Sequence, residues 1–334
     1  MSESASPSAR RFLSCDWGTS TFRLRLLDGE INRIVALSRG EQGIAATFAA
    51  WRAAGGNPED RWSHFSGVLE QHLARVARES GYALTGLPLV ISGMASSSMG
   101  LRELPYARLP LATDGSDLSI EHIPARTDLP HPAVIISGVR GDDDVMRGEE
   151  TQLIGACALG GDEAVAPARA RVYVFPGTHS KHVEVRGARA VAIRTYMTGE
   201  VFALLSKQSI LTNSVAAGAA LGEPESTACF DRGVRAGAEE NLLHAAFRVR
   251  TSALLENASP TGNYHYLSGL LIGAELGELT ASDASVTLVG SGPLRTAYQR
   301  AFDVLGARSP LTLHDADQCL AAGQLIIATR LGLV

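Results

Sequence analysis

Five acidic residues crowd the segment GDDDVMRGEETQ: Asp142, Asp143, Asp144, Glu149 and Glu150. Transfer of a phosphoryl group to an alcohol needs a carboxylate that accepts the hydroxyl proton. Glu149 and Glu150, just after Gly148 at the start of a helical run, suit that task, and the three aspartates compete for it. Acids in a first helical turn also favour the helix dipole without any chemistry. Arg147, beside them, can meet a ligand carboxylate or phosphate, or bridge to a neighbouring acid.

Phosphate-holding turns are the second ingredient. In DWGTST, Gly18, Thr19, Ser20 and Thr21 offer amides and hydroxyls to phosphate oxygens, and Asp16 at the strand end can hold Mg²⁺ directly or through water. Alone, such a segment reads equally well as a plain hairpin turn. FPGTHSKH repeats the pattern, with Gly177, Thr178 and Ser180 at a bend, His179 at its tip and Lys181 as a cation. Two such turns, each opening one half of the chain, are what a nucleotide's phosphate tail needs if it is clamped from two domains. His179 and His182 have no acidic third ligand nearby in sequence, and zinc is not expected. A third piece, LVGSGPLRTAYQRAF, sets Gly290, Ser291 and Gly292 between a strand and a helix N-terminus, a gap that can admit an adenine ring. It lacks the spacing of a dinucleotide fingerprint, and no GxxxxGK[ST] loop occurs in the chain.

The elements that must carry these residues follow from periodicity. A short apolar run and FRLRLL, alternating with period two before Asp28-Gly29, read as a hairpin with DWGTST as its connection. Phe65, Val68, Leu69, Leu73, Val76 and Ala77 recur at helix spacing over 60–80. LPLVISGM is a buried strand entering the small-residue loop SGMASSSMGLRELPY, which lets a ligand approach the backbone, and HPAVIISGVRG is another strand and loop. The segment ARVYVFPGTHSKHVEVRGARAVAIRTYMTGEVFALL reads strand, loop, strand, turn, strand, helix, which repeats the N-terminal order. A helical middle follows over 213–278, then the strand and helix of the third piece, and an Ala-rich helix over 316–331 closes the chain.

At 334 residues, two domains are expected. A hydrophobic content of 45% and a charged content of 19% fit a globular enzyme, and a net charge of −5 without a dense Lys/Arg cluster argues against nucleic acid as a partner. The four cysteines are widely spaced, with no metal or disulfide pattern. The polar first ten residues lack the apolar core of a signal peptide, and no stretch is long enough for a membrane span, so a cytoplasmic protein is expected.

In this order, the pieces DWGTST, RGEETQ, PGTHSK and VGSGPL resemble the actin, hexokinase and Hsp70 superfamily. Within it, VMRGEETQLIGA, PGTHSKH, YMTGE and LSGLLIGAE resemble the diagnostic segments of the 2-dehydro-3-deoxygalactonokinase family, spanning residues 15 to about 300. The resemblance implies two α/β domains of ribonuclease-H-like type, each a mixed five-stranded sheet flanked by helices, with an interdomain cleft. The expected division is a disordered tail over 1–9, an N-terminal domain over 10–150 and a C-terminal domain over 151–334, hinged around 145–170. The implied activity is transfer of the γ-phosphate of ATP, with Mg²⁺, to the 6-hydroxyl of 2-dehydro-3-deoxy-D-galactonate in galactonate breakdown. In related sugar kinases the base is the acid following Gly at this helix start, which points to Glu149, although those relatives usually carry Asp there. For a six-carbon keto acid the pocket should offer hydroxyl-binding groups and a cation. Ser92, Met94, Ser96, Ser97 and Ser98 are candidates for the first, Arg102 or Arg147 for the second, with Glu41 to Gly43 as further wall. A kinase for another sugar acid and a non-catalytic nucleotide and sugar-acid sensor are the alternatives. A homodimer is allowed by the sequence but not fixed by it.

Overall fold

Apolar residues on both parities of RFLSCDW make a strand that is buried on both faces: Phe12, Leu13, Ser14 and Cys15 are all inaccessible to solvent. In the computed structural model, which describes residues 11–30, 33–160, 170–280, 282–306 and 311–334, this segment is β1 (Arg11–Trp17). It pairs antiparallel with β2 (Phe22–Asp28), from Arg11 opposite Asp28 to Trp17 opposite Phe22, so Gly18–Thr21 is the connection. The tail expected over 1–9 and the 161–169 part of the hinge interval lie outside the described residues.

The chain divides into two compact units, the first comprising Met1–Glu163, Ala188–Val191 and Asp317–Val334, the second Ala164–Gly187 and Ala192–Ala316. In the first unit β3 (Arg33–Gly40) joins β2 antiparallel. Two helices follow, α1 (Ile44–Ala53) and α2 (Arg61–Ser80). Phe65, Leu69, Leu73 and Val76 of α2 are buried against the sheet's core, with Val68 and Ala77 packed at its margin. Next, β4 (Leu89–Gly93) lies parallel to β1 with every residue buried. Two short strands, β5 (Ala107–Arg108) and β6 (Leu111–Ala112), precede β7 (Ile120–Ile123) and β8 (Ala133–Ile136). The sheet runs β3-β2-β1-β4-β8-β7. It therefore has six strands rather than five, because SIEHI, too short and polar to read as a strand, pairs antiparallel with β8 at the edge. β9 (Val139–Arg140) and β10 (Val145–Met146) form a small sheet with β5, and α3 (Glu149–Leu159) follows.

The second unit holds β11 (Arg171–Phe175), β12 (Ser180–Arg186) and most of β13 (Arg189–Tyr196). Then come α4 (Thr198–Gln208), α5 (Pro224–Glu239), α6 (Leu242–Leu255) and α7 (Pro260–Thr280). β14 (Ser285–Gly290), α8 (Gly292–Leu305) and β15 (Leu311–Asp315) complete it. Its five strands run β15-β14-β11-β12-β13. β6 adds a sixth to this sheet, pairing antiparallel with Arg189 and Ala190 in the part of β13 that counts with the first unit, so this sheet too has more than the expected five. Read from the other end, the five-strand order is the order β3-β2-β1-β4-β8 of the first unit, with matching directions: antiparallel for β11/β12, parallel for β11/β14 and β14/β15. The duplicated strand–loop–strand pattern of the sequence is thus a duplicated ribonuclease-H-like topology.

The division is not a single cut. The last helix, α9 (Ala316–Arg330), counts from Asp317 with the first unit, and the 150/151 boundary falls inside α3. The reason is a contact that apolar periodicity does not announce. A Cβ at Gly155 would stand 1.8 Å from the Cys319 carbonyl oxygen, and one at Gly323 would stand 1.9 Å from that of Thr151, so α3 and α9 touch backbone to backbone. Helices α5 and α7 do the same through glycines four residues apart, which share a helix face. Cβ atoms at Gly233, Gly237, Gly269 and Gly273 would each lie 2.0 to 2.2 Å from a carbonyl oxygen of the facing helix.

Replacing Gly273 by Ala should therefore lower stability by at least roughly 2 kcal/mol in urea denaturation. Gly67 in α2 has nothing within 4 Å of its Cβ position. The change Gly67→Ala should raise stability by about 0.4–1 kcal/mol.

Candidate active site

Two turns and one helix start carry most of the candidate chemistry. In the first turn Gly18 N–H donates to the Thr21 carbonyl at 2.9 Å, and the amides of Ile44 and Ala45, in the first turn of α1, donate to the carbonyls of Gly18 and Thr19. Gly43 permits this seating, since a Cβ there would lie 2.4 Å from the Thr19 oxygen. The preceding residue is held as well. Trp17 Nε1 donates to the Gln42 carbonyl, and the Gln42 side chain meets the buried His72, whose other ring nitrogen lies 2.8 Å from Ser38 Oγ. Gln42 and Gly43 thus serve to seat α1, while Glu41 is exposed. Thr19, Ser20 and Thr21 are exposed, and their hydroxyls are presented on the surface of a fixed turn.

The second turn repeats this construction. Glu200 N–H, in the first turn of α4, donates to the Thr178 carbonyl at 3.0 Å, and a Cβ at Gly199 would lie 2.6 Å from the Gly177 oxygen. Thr178 and His179 are exposed, and the His179 ring bonds to Glu200. Ser180 does not offer its hydroxyl to solvent: it is fully buried and donates to Glu275. Lys181 is 7% exposed, and its Nζ donates to the His179 carbonyl at 3.3 Å. Gly290 stands near Pro176, which begins the same turn. Ser291 caps α8 and donates to Asp315, and Gly292 follows with φ +60°. A cavity of about 50 Å³ beside Gly177 is lined by Phe202, Leu271, Leu294 and Tyr298. A larger one, about 560 Å³, is lined by other residues, and its arginines are paired within it, Arg186 with Glu184 and Arg194 with Glu278. It contains none of the turn residues.

In the first unit, the start of α3 meets the end of β4, which lies beside the end of β1. Gly148 adopts φ +112° and its Cβ position lies 3.3 Å from the Gly93 Cα; Gly93, at φ +87°, in turn lies against the Trp17 carbonyl and Asp16. Both positive φ values exclude ordinary side chains. Asp16 faces Arg23 across the hairpin and accepts from its Nη1 at 3.0 Å. Glu149 is partly exposed and accepts the Arg147 backbone N–H at 3.0 Å. Glu150 is fully buried, takes the Gly148 N–H at 2.7 Å and the Thr151 hydroxyl at 3.3 Å. Of the competing aspartates, Asp142 and Asp143 are exposed on the preceding turn, and Asp144 accepts the Val145 N–H.

The serine loop is largely interior. Ser92 is fully buried and receives Gln324 Nε2, which also donates to the Cys15 carbonyl. Ser96 and Ser97 are buried and bond to backbone carbonyls of their own turn; Met94 packs against the core, and Ser98 is exposed. Arg102 pairs with Glu121 on the surface at 2.9 Å. Arg147 differs: its Nη1 is anchored to Ser96, its guanidinium lies 4.1 Å from the Tyr106 ring centroid, and its Nε has no partner among the described residues.

Sequence reasoning missed Gln324, Tyr106, Thr198, Tyr298 and Glu275. Only Glu275 carried a signal, as a lone acid in the apolar run LSGLLIGAELG, where a charge needs partners.

Burial first, then the Glu149 charge, pushes the Glu150 carboxyl up to about 7. The folded protein therefore holds a proton that the unfolded chain releases near the ordinary Glu value, so stability falls as pH rises through this window. Between about pH 5 and pH 8 the parent should lose roughly 2 to 3 kcal/mol more than Glu150→Gln in denaturation titrations.

Comparison with known proteins places these features in a family. The sequence profile of 2-keto-3-deoxy-galactonokinase matches residues 16–327. The chain is 32% identical to the 2-dehydro-3-deoxygalactonokinase of Escherichia coli (strain K12), covering 95% of this chain and 97% of that one. It is 34% identical to a protein of Rhizobium meliloti (strain 1021) named a probable 2-dehydro-3-deoxygalactonokinase, over 93% and 94% of the two chains. A crystal structure from Sinorhizobium meliloti, provisionally assigned the same name, is similar with a TM-score of 0.76 and 34% identity over 96% of each chain.

Proposed function

The chain belongs to the 2-keto-3-deoxy-galactonokinase family, and from that premise we propose how its residues divide the work of the reaction. The activity is phosphorylation of 2-dehydro-3-deoxy-D-galactonate by ATP at the 6-hydroxyl, releasing ADP and the 6-phosphate. The oxygen of that hydroxyl attacks the γ-phosphorus, the bond to the β-bridging oxygen breaks, and the hydroxyl proton passes to a carboxylate.

Glu149 is that carboxylate. The observation that carries this assignment is the Gly148–Gly93 seat, which sets the start of α3 beside Asp16 with Glu149 partly exposed and Glu150 wholly buried. A buried acid held by its own helix start cannot reach a sugar, whereas its neighbour can. Arg147, clamped to Ser96 and Tyr106 and half-buried, is the cation that receives the substrate carboxylate. Ser98 and Met94 border the sugar, while Ser92, Ser96 and Ser97 act by shaping the loop; Arg102, paired with Glu121, is a rim group.

Gly18–Thr21 in the first unit and Gly177, Thr178, His179 and Lys181 in the second bind phosphates, with Ser180 anchoring the second turn from inside. Gly290–Gly292 borders the adenine. For Mg²⁺, a lone carboxylate suits an ion that keeps waters and phosphate oxygens as its other ligands. Among the described residues no cluster of three metal-ligating side chains occurs, and Asp16 fits that modest role. When bound, the ion neutralises phosphate charge. No helix among the described residues is long and apolar enough to cross a membrane, and a kinase drawing on cellular ATP acts in the cytoplasm.

In a coupled ADP-release assay, Glu149→Gln should lower kcat at least about a hundredfold while the KM for ATP stays within about twofold. Glu150→Gln should retain most of its turnover. The reverse pattern would move the base to Glu150, and ATP and sugar-acid binding with no ADP release by the parent protein would make the chain a sensor.

A further inference from the structure

Glu275 lies on α7 with its side chain 1% exposed. Its two carboxylate oxygens receive four donors. Ser180 Oγ, at 2.6 Å, and His182 Nε2, at 2.9 Å, meet Oε1; Thr198 Oγ1 and, at 2.6 Å, the Tyr298 hydroxyl meet Oε2. A carboxylate buried this deeply is tolerated only when its lone pairs are filled, and here they are filled from three separate segments. Ser180 ends the turn that begins at Pro176. Thr198 opens α4, immediately before Gly199, whose backbone supports Gly177 and Thr178 from beneath. Tyr298 belongs to α8, which starts at the glycine gap, and it also lines the small cavity beside Gly177.

We propose that Glu275 is a positioning residue for nucleotide binding: it touches no substrate, and it fixes the Gly177–His179 turn against α4 and α8 so that the turn's amides stand ready for a polyphosphate. Both sides of the turn are held by one group. The end of the turn hangs on Oε1 through Ser180, and the helix it leans on hangs on Oε2 through Thr198. Losing the carboxylate releases both, and the turn then samples arrangements in which its amides no longer converge. This rests on the reading of that turn as a phosphate contact.

The test is steady-state kinetics on the full chain, varying ATP at saturating sugar acid and then the reverse, with thermal melting in parallel. Glu275→Gln keeps the shape but not the charge or the full acceptor count, and Thr198→Val removes one donor without changing size. Each should raise the KM for ATP roughly tenfold while kcat changes less than about threefold and the KM for the sugar acid stays within about twofold. A lower melting temperature with an unchanged KM for ATP in both variants overturns the proposal, because that is the signature of a purely structural group. Should Glu275→Gln fail to fold, Thr198→Val and Ser180→Ala decide the matter by the same measure. Gly177→Ala separates the two readings: a Cβ there meets nothing nearer than the His179 oxygen at 4.0 Å, so the variant folds as the parent does. If Gly177→Ala and Lys181→Met raise the KM for ATP while the Glu275 and Thr198 variants do not, the turn binds phosphate and Glu275 does not position it. If Gly177→Ala and Lys181→Met leave it unmoved, the turn is not a phosphate contact at all.

Discussion

Backbone touching backbone, with no side chain between, is the constraint on which both units depend. Gly43 lets α1 sit on the first turn and Gly199 lets α4 sit on the second. In each case the helix's first amides, which have no intrahelical partner, donate to the turn's carbonyls. One arrangement thus solves two problems. The helix start is satisfied, and a four-residue turn that would otherwise be pliable is braced from below. Gly148 on Gly93 brings α3 to the end of β4, beside the end of β1, by the same means, and Gly155 with Gly323 brings α9 onto α3. Cβ atoms at Gly43, Gly199, Gly155 and Gly323 would come within 1.8 to 2.6 Å of backbone, and Gly148 takes φ +112°, so the positions of the acidic pair and of both turns follow from where side chains are missing.

Charge inside the protein is handled in two ways. Glu275 is surrounded by four donors, and its burial ties distant segments together. Glu150 has two donors and a charged neighbour, and there burial and that charge push the carboxyl up to about 7. The difference follows from position. Glu275 sits in the middle of α7 where strands and helices on several sides can supply hydroxyls, whereas Glu150 sits at a helix start where only its own first turn is in reach. The adjacent Glu149 escapes both conditions because its side chain is partly exposed.

Much of this was legible in the sequence. The hairpin of β1 and β2, the period of α2 and the matching GTST and GTHS turns are local features, written in residues near one another in the chain. The recurrence of strand, turn, strand in each half pointed to the duplicated topology. What could not be read depends on tertiary partners. Ser92 looked like a ligand-binding serine and is an interior one, because Gln324 arrives from 232 positions away. Ser180 looked like a phosphate contact and is an anchor, because Glu275 arrives from 95 positions away. The sixth strand of the first sheet, SIEHI, owes its form to β8 rather than to its own composition.

The return of the last helix to the first unit has a consequence for synthesis. Residues 192–316 of the second unit leave the ribosome before the rest of α9 does, and α9 carries Gln324, the partner of Ser92 and of the Cys15 carbonyl in the centre of the first sheet. The half of the protein made first is therefore the half finished last. Throughout elongation the nascent first unit keeps uncovered the groove on α3 that Gly323 later fills, and its closing step is the docking of a segment that follows the whole of the other unit.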